Sequence, residues 1–404
     1  MSPKSKEQWL VAIRPRYLRA GKVEKSLILN EFCAVCGYQR KYAIRKLRRA
    51  PRPARRKPGR KRHYGPEILA PLKRIWLSCG QLCSKRLRAA MPLWLPHYEA
   101  RYGTLDPAVR GKLLTISPAT MDRLLHSIRA RHGRKGFCAT RPGTLLRTQI
   151  PIRTHHWDVT RPGFLEADSV AHCGTSLGGD YVWSLTFTDI YSAWTECRAV
   201  WNKGAAGVVG QVRHVEARLP FAILGFDCDN GSEFLNHHLW HYFARRKKRV
   251  EFTRSRPYRK NDNAHVEQKQ WTHVRQLLGY DRLDDARIIP LLNSLYAREW
   301  SLLQNFFSPS FKLRDKTRIN SRYRRRYYPP QTPCQRLLDC ADCADKAKDR
   351  LRARFQALDP FTLKKALERK LKIVFLLLKQ PRDGVNQPAS KTTSQQSSLG
   401  SFFQ

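Results

Sequence analysis

Three strand-like runs in close succession, Phe164 to Ala171, Tyr181 to Thr188 and Trp194 to Val200, constrain this chain more than anything else in it. Their β-branched and aromatic side chains suit a pleated, half-buried surface, and the short segments between them predict an antiparallel meander. Beyond the meander, helix and strand alternate: a helical stretch from Ala205 to Arg218, a strand over Phe221 to Phe226, a helix from about Ser232 to Lys247, a short strand over Val250 to Thr253, and a long helix from about Asn263 to Leu278. Three antiparallel strands and then α-β-α-β-α predict a layered α/β fold, a mixed sheet flanked by helices.

Everything upstream reads as helix. Between Lys25 and Arg49 two short helices surround a turn at Gly37, with Leu29, Phe32, Cys33 and Cys36 on one face of the first. The second, Gln39 to Arg48, sets Arg40, Lys41, Arg45 and Lys46 among Tyr42, Ile44 and Leu47, the pattern of a recognition helix in a helix-turn-helix. Arg40, Lys41 and Arg45 are therefore candidate DNA contacts. Ala50 to Arg62 is basic, rich in proline and glycine, and has little to bury, so it reads as a linker. Helical spacing returns over Pro66 to Trp76 and Cys83 to Ala90, and Ser117-Pro118 starts a helix to about Arg129. The expected organisation is a helix-turn-helix domain over 1–50, a basic linker over 51–64, a second helical DNA-binding module over 65–130, a basic linker over 131–154, a catalytic core over 155–310, a basic C-terminal region with helices over 311–380, and a disordered tail over 381–404.

Charge narrows the partner. Lys and Arg total 77 against 32 acidic residues, a net +45, and such self-repulsion is tolerable chiefly beside a dense polyanion. Nucleic acid is the first candidate, and the helix-turn-helix reading makes double-stranded DNA the expected partner. No membrane association is expected, because the apolar run Ile373 to Leu378 is far too short to span a bilayer. The opening MSPKSKEQW lacks a secretory h-region, which makes the cytoplasm the expected location. Eleven cysteines, an odd number, argue for reduced thiols over a disulfide scaffold. Cys33-x2-Cys36 and Cys340-x2-Cys343 have zinc-like spacing but no nearby partner pair, and the adjacent histidines His155-His156 and His237-His238 point in different directions.

The carboxylates carry the chemistry. Asp168 lies within the first strand, with Glu166 on the same face in a supporting role. Asp229 comes after the fourth strand, before an Asn230-Gly231 turn that Ser232 can cap. That turn favours it over Asp227 two residues earlier. Glu267 sits in the long helix, where Trp271 and Val274 are spaced to anchor against the sheet, and Asp189 at the end of the second strand suits a structural role. Carboxylates from a strand, a strand end and a helix can hold two divalent cations about 3.5–4 Å apart for in-line displacement at phosphorus, and oxygen ligands suit a hard ion. Arg259, Lys260 and Lys269 flank this centre, where they could hold DNA phosphates.

The blocks FLEADSV, DCDNGSEF and SRPYRKNDNAHVEQKQW strongly resemble the catalytic motifs of DDE transposases with a retroviral-integrase core, and ILNEFCAVCGYQRKYAIRKL more weakly resembles the helices before that core in bacterial insertion-sequence transposases. The resemblance covers about residues 155 to 310 and maps the triad onto Asp168, Asp229 and Glu267, with 37 residues between the last two. It implies an RNase H-like core with strand order 3-2-1-4-5, two Mg²⁺ ions or Mn²⁺ in their place, cleavage at transposon ends, and attack of the freed 3′-hydroxyl on target DNA. A homo-oligomer on paired ends, beside the nucleoid of a bacterial cell, goes with that activity. A metal-dependent nuclease of the same fold and a domesticated DNA-binding protein without activity are the alternatives, and the intact triad argues against the second.

Overall fold

The computed structural model describes residues 2–49, 63–131, 159–228, 234, 237–254 and 269–380. They divide into two compact units, Met1–His63 and Tyr64–Gln404.

The first unit is three helices, α1 (Pro3–Arg19), α2 (Lys22–Cys36) and α3 (Arg40–Arg48). Gly37 ends α2 in the left-handed region, φ +66°, with its N–H on the Cys33 carbonyl at 2.8 Å, a conformation glycine adopts without a Cβ clash. Ile13, Tyr17, Ile28, Phe32, Cys36, Ala43 and Leu47 form the core between the helices. Arg14 donates to the Leu47 carbonyl at 3.1 Å, supplying a cation and a donor to the end of α3, where carbonyls lack helical partners.

The second unit begins with α4 (Pro66–Ser78), α5 (Ser84–Tyr102), α6 (Pro107–Thr115) and α7 (Pro118–Arg131). α5 continues through Pro92 and Pro96, well past the expected end at Ala90, and α6, capped by Asp106, has no counterpart in the sequence reading. Ile68, Leu72 and Ile75 of α4 and Leu87, Met91 and Trp94 of α5 belong to the same hydrophobic core as Leu292, Phe306, Phe307, Phe361 and Leu367. The stretch read as a module of its own thus shares its interior with the C-terminal helices.

The sheet has five strands, β1 (Phe164–Ala171), β2 (Val182–Asp189), β3 (Thr195–Trp201), β4 (Gly225–Cys228) and β5 (Glu251–Arg254), in the order 3-2-1-4-5. β1–β2 and β2–β3 pair antiparallel, and β1–β4 and β4–β5 pair parallel. This is the RNase H-like arrangement. Helices Ala205–Glu216 and His237–Ala244 cover one face, over Leu165, Ala167, Phe187, Phe226 and Cys228. The other face, carrying Val170, Val182, Cys197 and Ala199, joins the larger core. Strand alternation therefore puts Glu166 and Asp168 on the side of the larger core.

β4 begins only at Gly225, later than the expected Phe221. Its entry is governed by Gly163, at φ +120°, whose carbonyl accepts from Leu224 N at 2.8 Å; a Cβ there would sit 2.6 Å from the Ala222 carbonyl oxygen. Beyond β5 the described chain resumes with a helix that opens as a π-turn, Gln270–Arg275, and closes as Gln276–Leu278. Val274 is buried as expected, but Trp271 is 52% exposed. The wider π-turn bonds i to i+5, so residues three apart no longer share a face.

Next come Ile289–Leu295, a π-turn at Tyr296–Trp300 and Ser301–Phe307, then a two-stranded ribbon of β6 (Leu313–Ile319) and β7 (Arg322–Tyr327), then helices Pro333–Asp339, Asp345–Gln356 and Pro360–Leu377. Two asparagines seal the outer edge of β3. Asn293 accepts from Ala199 N at 2.8 Å and donates to its carbonyl at 2.9 Å, and Asn305 does the same for Thr195 at 2.9 and 3.0 Å. Among the described residues no helix is long and apolar enough to cross a membrane.

Candidate active site

Asp168 stands in the middle of β1, opposite Thr186 of β2, half-buried, with Ser169 N–H donating to its Oδ1 at 2.6 Å. Its position on a central strand fixes the carboxylate between two neighbours and leaves little backbone freedom. Two residues earlier, the buried Glu166 lies beside Asp227 in the parallel ladder, and Thr253 donates to Asp227 Oδ1 at 2.6 Å. The described part of β4 ends with Cys228 beside Ala167.

The helix from Gln270 docks against the far end of β1. Gln270 Nε2 donates to the Ser169 carbonyl at 3.3 Å and Arg275 to the Ala171 carbonyl at 2.9 Å. Sequence reasoning missed these two clamps as docking residues; the signal for Gln270 was its place in the block NDNAHVEQKQW. Lys269, just before them, is half-buried. Burial first, and then the charges of Arg86 and Arg336, lower its ammonium to about 7.

Of the other expected residues, Asp229, Glu267, Arg259, Lys260 and the pair His155-His156 lie outside the described ones. Among those described, no group of three His, Cys, Asp or Glu side chains comes together as a metal site. Arg40, Lys41 and Arg45 lie on α3; Arg40 is held by Ser26 Oγ at 2.7 Å and by Asn30, and Arg45 lies 5.2 Å from the Tyr42 ring centroid. His237 and His238 are exposed, and Cys36, Cys340 and Cys343 are buried free thiols.

Asp189 is a structural carboxylate. Fully buried, it accepts from Ser192 N at 2.7 Å, Ser192 Oγ at 2.6 Å and Gly163 N at 2.8 Å, tying the β2–β3 turn to the start of β1. Arg282 gathers the β1–β2 loop, donating to the carbonyls of Cys173, Ser176, Gly178 and Asp180 at 2.6–3.2 Å.

No family model matches the chain. It is 42% identical over 345 residues to the uncharacterized protein y4rM of Sinorhizobium fredii, an alignment spanning 83% of this chain and 96% of that protein. The chain belongs to the y4rM family. Among solved structures, this y4rM-family chain aligns with the catalytic core domain of BIV integrase (14% identity, 36% of this chain and 83% of that one, TM-score 0.25). It also aligns with the HTLV-2 integrase catalytic core domain in complex with magnesium (12%, 37% and 90%, TM-score 0.27). A third alignment is with a chain of the simian T-cell lymphotropic virus intasome in complex with a PP2A regulatory subunit (16%, 45% of this chain, TM-score 0.27), where it spans 59% of the length of that chain.

Proposed function

We propose that this y4rM-family chain is a divalent-metal-dependent DNA transposase, a polynucleotidyl transferase whose carboxylates are Asp168, Asp229 and Glu267. The observation that carries the reading is the convergence of three chain segments on one point of β1. Asp168 is there in the strand; β4 reaches Ala167 through Cys228, the residue bonded to Asp229; and Gln270, three residues after Glu267, is hydrogen-bonded to Ser169. Consecutive Cα atoms are about 3.8 Å apart, so Asp229 is tethered one step from Cys228, and Glu267 within roughly 7.6 Å of Lys269. Within the described part of β4, Asp227 lies beside Glu166 in the parallel ladder and so shares the face of Asp168.

The donor set is carboxylate oxygen on a half-buried, rigid strand, which fits a hard cation such as Mg²⁺ or Mn²⁺. When bound, a pair of such ions would supply charge stabilisation for the attacking and leaving oxygens of a phosphoryl transfer. Asp168 would hold its carboxylate in place through the sheet, while Gln270 and Arg275 fix the segment that follows Glu267 in the chain. The α3 residues Arg40, Lys41 and Arg45 would take the terminal DNA, and pairing of two ends calls for more than one copy of the chain.

The test uses purified protein, Mg²⁺ or Mn²⁺, labelled DNA carrying the ends of its own element, and a target plasmid. Joined product is expected from the wild type and a loss on the order of 10²-fold or more from Asp168→Asn or Glu267→Gln. Cleavage without joining would mark a nuclease instead, and full joining by Asp168→Asn would sink the assignment.

A further inference from the structure

Residues 313–327 fold into a ribbon none of whose side chains belongs to a hydrophobic core of the described residues. β6 and β7 pair antiparallel from Leu313↔Tyr327 to Ile319↔Arg322 and turn through Asn320, in the left-handed region at φ 53°. Seven of these fifteen residues are Lys or Arg, and Asp315 alone is acidic. Along β7 every residue but Tyr323 is exposed. An isolated two-stranded ribbon is at best marginal in water, and crowding cations on it adds repulsion.

Its root is nonetheless firmly held. Ser310 and Gln331 bridge its base, N–H to carbonyl at 2.8 Å. Lys312 donates to the Tyr191 carbonyl at 2.7 Å, and Arg336 to the Ser192 carbonyl and Ser310 Oγ, each at 2.9 Å. Tyr191 and Ser192 come just after Asp189, which pairs with Leu165, three residues or about 10 Å along β1 from Asp168. The ribbon is thus a rigidly rooted, polycationic arm on the catalytic sheet.

Alternation puts Arg322, Arg324 and Arg326 in one row, spaced about 6.8 Å. That spacing is twice the roughly 3.4 Å axial rise per nucleotide of one DNA strand. We infer that the ribbon is a docking arm for duplex DNA, seated along the major groove with this arginine row on the phosphates of one strand. A two-stranded ribbon fits a groove about 12 Å wide. The inference rests on the reading of the chain as a DNA-processing enzyme and adds a contact surface to it.

The experiment measures binding of the full chain to a labelled random-sequence duplex, and to one of its strands alone, across a salt series. Alanine at Arg322, Arg324 and Arg326 together should lower the slope of log affinity against log salt by about 2.7, roughly 0.9 per phosphate contact. Lysine at the same positions should restore it. Alanine at the exposed Lys346, Arg350 and Arg354 of helix Asp345–Gln356, an equal loss of charge, should leave it unchanged. An unchanged slope in the ribbon variant, an equal fall in the helix control, or a fall seen only with the single strand would each overturn the proposal. Asp168→Asn separates the two readings: it should abolish joining with the slope intact. Joining by the wild type with an unaltered ribbon slope removes only the docking arm, and a ribbon-dependent slope without joining removes only the enzymatic reading.

Discussion

His172, just past the end of β1, shares a hydrogen bond with Ser184 Oγ at 2.8 Å, and Ser184 shares another with the Tyr296 hydroxyl at 2.8 Å. All three are fully buried. Burial, helped by the charge of Arg275, lowers the imidazole to about 3, against about 6.5 when unfolded. The histidine is therefore neutral in the folded chain and takes a proton on unfolding, so stability is lost as pH falls below about 6.5, by up to about 1.4 kcal/mol per pH unit. His172→Gln is expected to remove one proton's worth of slope from the unfolding free energy between about pH 4 and 6. Urea titrations at several pH values measure it, and an unaltered slope would assign the proton uptake elsewhere. At this scale strand position pointed to a structural Asp189 and the block FLEADSV singled out Asp168, yet the sequence was silent on His172, because its partners Ser184 and Tyr296 come from distant segments.

Sealing of the β3 edge shows what a pair of side chains does for an element. An open edge strand exposes unpaired N–H and C=O groups and invites pairing with another chain. Asn305, itself fully buried, satisfies both groups of Thr195. Asn305→Ala should cost about 2 kcal/mol, the scale of leaving a buried donor and acceptor unmade, and should raise aggregation on heating; denaturant midpoints and light scattering report both. A midpoint equal to the wild type would show that water replaces the amide at no cost. The meander was legible because β1, β2 and β3 are compact runs of strand-favouring residues joined by short segments, a signal that owes little to the rest of the chain. The start of β4 was not, since Phe221 to Leu224 are apolar enough for a strand while the ladder with β1 begins only at Phe164 beside Gly225, after the close backbone approach of Gly163 to Ala222. The exposure of Trp271 was equally hidden, because a π-turn leaves no mark in residue spacing.

Across the second unit, Trp94 joins distant parts of the chain. Its indole N–H donates to the Phe307 carbonyl at 3.0 Å, and its ring meets Phe307 and Phe361 edge-on at 6.1 and 5.2 Å between centroids. Trp94→Ala is expected to cost about 3–5 kcal/mol and to loosen α4–α7 together with the C-terminal helices. Hydrogen exchange would show amides of both regions losing protection in concert; loss confined to α5 would mean that the regions are separately stable. Periodicity found most of these helices one by one but could not show that they share a core, since a contact between residues 94 and 361 has no local signature. The sheet order and the place of Asp168 were legible through the resemblance of three short blocks. Because β1 and β4 run parallel in register, gaining or losing one residue between Gly225 and Cys228 would turn every side chain beyond the change to the opposite face. Over generations this stretch can exchange its letters far more freely than it can change its length.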